Sequence, residues 1–138
     1  MRVFLDANIL FSASFSKSHL AEFLAELRNH AVLLTNAYAA AESERNIAAK
    51  QPGRAAAHRA FVASLELTQL QVFATGVALA EKDVPILCGA IAGGADFLLT
   101  GDRKDFGHLF GTTIHGVKIV NVQGLLAELI ALGIVSRS

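Results

Sequence analysis

Short apolar segments alternate with longer helical patterns along the 138 residues, and this alternation is the strongest constraint on the fold. The strand candidates are runs of β-branched and apolar residues. They cover residues 2–6, 32–35, 70–73, 97–100 and 117–121. Between them, apolar residues recur every three or four positions, as in Leu20, Phe23, Leu24 and Leu27, which is typical of a helix packed on one face. Strands that are apolar on both faces belong to parallel sheets covered by helices. The sequence therefore predicts a three-layer α/β/α fold around a mostly parallel, five-stranded sheet.

Length and charge limit the kinds of protein that the chain can be. The length is that of one compact domain, and the break at residues 51–53 is too short for a linker, so we expect a single domain over residues 1–138. The uncharged stretch at 84–95 is far shorter than the ~20 residues of a membrane span. An acid at position 6 does not fit a secretory signal, so we expect a cytoplasmic protein that does not bind membranes. Twelve basic and twelve acidic residues cancel, so nucleic-acid binding has to come from a local patch.

Two aspartates lie where sites form in parallel α/β sheets, beyond the carboxyl ends of strands, and a third can reach the same edge. Asp6 ends the first predicted strand and Asp102 follows the fourth, so we expect both carboxylates at the same edge of the sheet. Asp83 precedes Val84 and Pro85, a typical helix start, on a connection that can reach this edge. The Asp83 side chain also fits an N-cap that accepts a backbone N–H, and capping does not exclude metal binding.

Two glutamates, Glu42 and Glu44, lie on the helix predicted after the second strand. Because they are two positions apart, they belong to different helix faces, and only one can face the aspartates. Taken alone, either is an ordinary solvated helix residue. Carboxylates crowded at one edge repel each other, however, and a divalent cation is the natural compensation. With one cysteine and no close pair of histidines, oxygen ligands favour Mg²⁺ or Mn²⁺ over zinc.

Three segments of the chain resemble the PIN-domain family. Val3-Phe4-Leu5-Asp6-Ala7-Asn8-Ile9-Leu10 is similar to the opening of PIN domains, where an aspartate closes the first strand and an asparagine follows two residues later. Residues 83–106 resemble the family's carboxyl-terminal block, with an acid before an Ala-rich helix, then Gly-Ala-Asp, a strand and a Thr-x-Asp turn. Glu42-Ser-Glu-Arg-Asn is similar to the central helix, whose acid stands three residues before an Arg-Asn pair, and this favours Glu42 over Glu44.

The resemblance covers residue 3 to about residue 130 and implies a sheet ordered 3-2-1-4-5 with the acids above its middle. It implies a metal-dependent ribonuclease, which hydrolyses phosphodiester bonds of RNA with one or two Mg²⁺ or Mn²⁺ ions. PIN-like ribonucleases include the VapC-type toxins, which an antitoxin neutralises. The partners implied are therefore an RNA substrate and an antitoxin protein. The resemblance does not decide whether the chain forms a homodimer.

The family's roles carry over residue by residue. The catalytic and metal-binding acids are Asp6, Glu42, Asp83 and Asp102. The chemistry of the residues themselves suggests two auxiliaries: Asn8 can orient the Asp6 carboxylate or a metal-bound water, and the Thr100 hydroxyl can contact a phosphate. Asp105 is a further auxiliary acid. The candidates for binding substrate phosphates are Arg45, Arg103 and Lys104, with Lys50, Arg54 and Arg59 in the same central region as Arg45.

Two other functions compete with this interpretation. Haloacid-dehalogenase-like phosphatases also have an aspartate after the first strand and a turn like the one from Gly101 to Asp105. Their chemistry needs a second aspartate two residues after the nucleophile, and here that position is Asn8, which cannot donate and recover a proton. A non-catalytic PIN-like module that binds RNA or protein fits the zero net charge. Such a scaffold gains nothing from carboxylates that repel each other without a metal. We therefore expect a nuclease.

Overall fold

The computed structural model describes residues 1–15 and 17–136. Within this part of the chain, six strands form one sheet. The strands are β1 (Arg2–Leu5), β2 (Val32–Thr35), β3 (Glu66–Leu67), β4 (Phe97–Leu99), β5 (Thr113–Ile114) and β6 (Val117–Val120). Their order across the sheet is β3-β2-β1-β4-β6-β5, and all neighbours are parallel except β5 and β6. The prediction of a mostly parallel sheet is confirmed.

Helices connect the strands and flank the sheet. They are α1 (Ala7–Ala13), α2 (His19–Leu27), α3 (Ala37–Lys50), α4 (Ala55–Ala63), α5 (Val84–Ala92), α6 (Arg103–Phe106) and α7 (Val122–Ala131), with short 3-10 turns at Pro52–Arg54, Glu81–Asp83 and Gly107–Leu109. Helix α1 packs against α2, α3 and α4, whereas α5 contacts β1, β2 and β4, and α7 packs against β4 and β6. Among the described helices, none is long and apolar enough to cross a membrane.

Polar side chains fix where these helices begin. Ser18, Asn36 and Asn121 precede α2, α3 and α7, and each accepts the backbone N–H of the residue three positions later. Such a side chain satisfies one of the N–H groups that a helix leaves free in its first turn. Between the helices, the side chains of β1 and β4 are buried along almost their whole length, as expected for strands covered on both faces.

Gly89 allows α5 to approach the sheet closely. A Cβ atom at this position would lie 2.3 Å from Asn36 Nδ2 and 3.1 Å from a ring carbon of the buried Phe4. Asn36, directly after β2, donates from Nδ2 to the carbonyl of Pro85 at 3.1 Å. This hydrogen bond holds the first turn of α5, and with it Asp83, beside the carboxyl end of β2.

The sheet has one strand more than the five predicted. The predicted order 3-2-1-4-5 is found in β3, β2, β1, β4 and β6, and β5 adds a strand at the edge. Strand β5 forms a hairpin with β6 through His115 and Gly116, whose φ angles are 49° and 86°. Two residues are too few to show the alternation of apolar and polar side chains by which strands are recognised, so the sequence pattern did not reveal it.

The strand predicted at residues 70–73 is wrong. The third strand is Glu66–Leu67, which pairs with β2. At Phe73 the backbone bonds to a side chain instead of a strand: its N–H donates to Cys88 Sγ at 3.4 Å, and the Cys88 thiol donates to its carbonyl at 3.3 Å. Val72 is 68% exposed, so the apolar residues of this segment are not buried by a sheet.

Candidate metal centre

The parallel pairing of β1 and β4 brings Asp6 next to Thr100. The register pairs Leu5 with Leu99, so the residues that follow these two strands meet at the same edge. The Thr100 hydroxyl donates to Asp6 Oδ2 at 2.7 Å, and the backbone N–H of Ala7 donates to Asp6 Oδ1 at 2.7 Å. Asp6 is thus both the last residue before α1 and its N-cap.

Asn8 lies in the first turn of α1 and joins the two strand ends. Its Nδ2 donates to Asp6 Oδ2 at 3.3 Å, and its Oδ1 accepts the backbone N–H of Gly101 at 2.9 Å. The Asn8 amide therefore links the Asp6 carboxylate to the backbone of Gly101. Thr100 is fully buried and its hydroxyl is used by Asp6, so the suggested contact of this hydroxyl with a substrate phosphate does not fit the structure.

Burial sets the protonation of Asp6. The residue is only 3% exposed, and this loss of solvent raises the pKa of its carboxyl group from 3.8 to about 6. The hydrogen bonds from Thr100 and Ala7 oppose the rise of the pKa, whereas the nearby charges of Glu42 and Asp102 add to it. Asp6 therefore feels the charges of two other carboxylates, while its hydrogen bonds to Thr100 and Ala7 fix its position.

Three aspartates lie close enough together to hold one metal ion. Carboxylate oxygens of Asp83, Asp102 and Asp105 all lie within 4.8 Å of one another. Asp102 follows β4 and caps α6, since its Oδ1 accepts the backbone N–H of Asp105 at 3.0 Å. Asp105 is three residues further along this helix, and Asp83 ends the 3-10 turn that leads into α5. We call these three residues the aspartate cluster.

Asp83 does not cap the helix that it precedes. Its side chain makes no capping hydrogen bond to α5, so the alternative interpretation as an N-cap is wrong. Its Oδ2 is buried and has no hydrogen-bond partner among the described atoms. Burial, followed by a hydrogen bond with Asp105 and the charge of that residue, raises the pKa of Asp83 to about 7. A buried carboxylate oxygen without a donor is unfavourable unless a cation or a proton satisfies it.

Lys82 supplies one positive charge to this group. Its Nζ lies 2.9 Å from Asp105 Oδ2, and this contact holds the pKa of Asp105 below its ordinary value of 3.8. The Tyr38 hydroxyl of α3 donates to the Lys82 carbonyl at 2.6 Å, which ties the segment before Asp83 to the helix that carries Glu42. Three close carboxylates, one ammonium group and an orphan buried oxygen fit a hard divalent cation with oxygen ligands.

Glu42 and Glu44 point to different places, as the helix period requires. An open cleft of about 590 Å³ lies at the carboxyl edge of the sheet. Its lining residues are Asn8, Ile9, Ser12, Leu20, Glu42, Gly101 and Asp102. Glu44 is exposed and lines another cavity, together with His58 and Arg59. The cleft, which we call the acid cleft, thus unites Glu42 with Asp102, and Asp102 joins it to the aspartate cluster.

The structure distributes the acids differently from the expected set of four. Asp6 and Glu42 are not members of the aspartate cluster. Asp105, which we expected to be an auxiliary residue, is a member. The three-residue spacing from Asp102 to Asp105 on a helix could have indicated their proximity. Lys82 was not singled out, because a lysine before an aspartate carries no signal of its own. The basic candidates Arg45, Arg103 and Lys104 are exposed and are not among the described residues that line the acid cleft.

Comparison with known proteins gives a likeness of fold. No family model and no curated protein matches the chain. Among solved structures, the chain is similar to VapBC2 from Rickettsia felis, determined bound to a DNA fragment from their promoter. The two chains are 19% identical, with a TM-score of 0.65, and the match covers 88% of this chain and 98% of the other. At this identity the likeness concerns the fold alone, and the chain has a PIN-like α/β fold.

Proposed function

We propose that the protein is a metal-dependent ribonuclease that hydrolyses phosphodiester bonds of RNA. The observation that carries the proposal is the buried, unpartnered Oδ2 of Asp83 within a group of three carboxylates at the carboxyl edge of a parallel sheet. Ligand sites of parallel α/β folds form at this edge. A group of this kind is unfavourable in the absence of a cation, which argues for a site that binds one.

The charges of the site match a divalent ion. Three ionised aspartates beside one lysine leave two negative charges uncompensated, and Mg²⁺ or Mn²⁺ balances them. Asp83, Asp102 and Asp105 would hold the ion, and Asp102 would keep one oxygen for this purpose while the other caps α6. When bound, such an ion neutralises charge on a phosphodiester, lowers the pKa of water and stabilises the leaving oxygen.

The protein's own residues arrange the rest of the reaction. Glu42 and Asp102 line the same cleft, and the charges of both act on Asp6, so a phosphate group in this cleft would lie beside these two acids. Asp6 Oδ2, with a pKa of about 6, can accept a proton near neutral pH, and Thr100 and Asn8 hold this oxygen in place. Exposed basic groups beside the site, Arg103 and Lys104 in particular, would contact neighbouring phosphates.

Asp6→Asn tests the proposal. The asparagine keeps an oxygen to accept the Ala7 N–H and occupies nearly the same volume, but it cannot take up a proton. We expect the variant to keep its fold and to lose cleavage of a labelled RNA in the presence of Mg²⁺ or Mn²⁺. The matched control is Asp96→Asn, at the opposite end of β4, where the carboxylate accepts the backbone N–H of Arg2. Cleavage retained by the Asp6 variant would contradict the assigned role.

The likeness to VapBC2 supports a finer proposal, that this nuclease is the toxin of a toxin-antitoxin pair in the cytoplasm. The partner would then be an antitoxin protein that masks the acid cleft. Induced expression of the chain should stop growth of a bacterial host, and the Asp6→Asn variant should not. If both forms stopped growth, toxicity would not depend on Asp6, and this result would contradict the toxin role of the site.

A further inference from the structure

The connection between α1 and α2 carries a second cavity beside the acid cleft. This cavity has a volume of about 560 Å³ and is lined by Phe15, Lys17, Ser18 and Arg54. Ser12 and Leu20, on either side of the same connection, line the acid cleft. The described residues of this connection and of its two flanks therefore contribute to both cavities.

The second cavity has an aromatic and planar cationic surface. The Arg54 guanidinium carbon lies 5.1 Å from the centre of the Phe15 ring, and the Phe15 ring meets that of Phe11 at 5.6 Å in an edge-to-face arrangement. Phe15 is partly exposed and lies outside the hydrophobic core. Its position therefore cannot be explained by core packing. Aromatic rings and guanidinium planes are the surfaces on which unpaired nucleobases stack.

The charge of this cavity is positive and uncompensated. Lys17 and Arg54 are exposed, and neither forms an ion pair with the residues that the structure describes. No acid is among the described residues that line the cavity. The chain has zero net charge, but its charges are unevenly placed here. Lys17 and Arg54 line the second cavity, and two acids line the acid cleft, so the two cavities have opposite charge. A phosphate would be drawn to the basic side of this boundary.

The spacing along α1 relates the two cavities to neighbouring nucleotides. Ile9 and Ser12 line the acid cleft and Phe15 the second cavity, at intervals of three residues that follow one side of the helix and its extension. One such interval is about one helical turn, roughly 5 Å. This distance is short enough for adjacent nucleotides of one strand to occupy both cavities.

The geometry points to a nucleotide subsite in the second cavity, where an unpaired nucleotide next to the scissile phosphate stacks its base on Phe15 and Arg54 and sets its phosphate against Lys17. The inference rests on the proposed ribonuclease function. It also assigns a binding role to residues outside the group of acids.

Binding of a fluorescent, unstructured 12-nucleotide RNA tests the subsite, with all variants made in an Asp6→Asn background so that the RNA stays intact. Phe15→Leu removes the ring and keeps an apolar side chain, and Arg54→Lys keeps the charge and removes the plane. We expect either change to weaken binding about tenfold, as for loss of one base stack. Lys17→Gln should reduce the salt dependence of the affinity by about one phosphate contact.

The chain offers a matched control for Arg54. Arg28 lies over the Phe61 ring at 5.4 Å, in the same type of contact, and lines neither cavity. Arg28→Lys should leave RNA affinity unchanged, and thermal melting of all variants shows whether they fold. Equal RNA affinities for the Arg54 and Arg28 variants would overturn the subsite. It would also be overturned if Arg54→Lys weakened the binding of an acidic peptide but not the binding of RNA. If the natural chain cleaves no RNA but the Phe15 and Arg54 effects appear, the subsite stands and the ribonuclease proposal fails.

Discussion

Asp83→Asn should stabilise the metal-free protein, although it removes a residue of the proposed metal site. Asp83 is 8% exposed as a residue, one of its carboxylate oxygens has no hydrogen-bond partner among the described atoms, and its pKa is raised from 3.8 to about 7. Above pH 7, folding therefore includes the cost of burying an ionised carboxylate. An asparagine avoids this cost, because its side chain carries no charge at any of these pH values.

The raised pKa fixes the sign of the pH dependence. A carboxyl group that holds its proton more tightly in the folded state contributes stability below its unfolded pKa, near 4, and this contribution is lost as the pH rises to about 7. A pKa raised from 3.8 to about 7 corresponds to about 4 kcal/mol as an upper limit. The lowered pKa of the neighbouring Asp105 acts in the opposite direction. We therefore expect a net gain of about 2 kcal/mol from the variant at pH 8, and little gain at pH 4.

Urea unfolding in EDTA at pH 4 and pH 8 measures both values. Asp96→Asn is the control, because it removes a carboxylate far from the site. Adding Mg²⁺ should reverse the order of stabilities at pH 8, since the natural chain binds the ion and the variant binds it weakly. If Asp83→Asn were less stable than the natural chain in EDTA at pH 8, the argument from the orphan oxygen would be refuted.

Three further outcomes are expected. A hundredfold excess of Mg²⁺ or Mn²⁺ over its Kd should stabilise the protein by about 2.7 kcal/mol, and an unchanged melting temperature at millimolar metal would count against the site. Glu42→Gln should slow metal-dependent RNA cleavage at least about tenfold, whereas Glu44→Gln should change it little, because only Glu42 lines the acid cleft. The reverse result would mean that the helix face with Glu44, not the face with Glu42, serves the site. Gly89→Ala should lower the free energy of unfolding by about 1–3 kcal/mol, because its Cβ would lie 2.3 Å from Asn36 Nδ2, and Gly53→Ala, with open space around it, should not. Equal urea midpoints for the two glycine variants would contradict the close packing of α5.

The sequence was a good guide where local pattern and burial agree. The strand at Val32–Thr35 was predicted with its observed bounds, and those at β1, β4 and β6 within one residue, because their apolar side chains are buried by helices. The pattern failed at residues 70–73, where apolar residues are exposed and the backbone bonds to Cys88. Composition alone does not distinguish a buried strand from an exposed extended segment.

The site was predictable to the level of the sheet edge but not of individual contacts. Strand ends brought Asp6 and Asp102 to the same edge, as parallel pairing requires. Whether Asp83 caps its helix depends on the backbone angles of the preceding turn, which the sequence does not specify, and the structure leaves its oxygen free. The contact of Lys82 with Asp105 joins two segments that only tertiary packing brings together.

The rate of RNA cleavage over a Mn²⁺ titration, measured for the natural chain and for Asp83→Asn, tests the central claim most directly. The account predicts no cleavage in EDTA, cleavage that saturates with Mn²⁺ in the natural chain, and a requirement for at least about tenfold more Mn²⁺ in the variant, because one of three ligands is weakened. Cleavage that persists in EDTA, or equal Mn²⁺ requirements for the two proteins, would contradict the assignment of the aspartate cluster as the metal site of a ribonuclease.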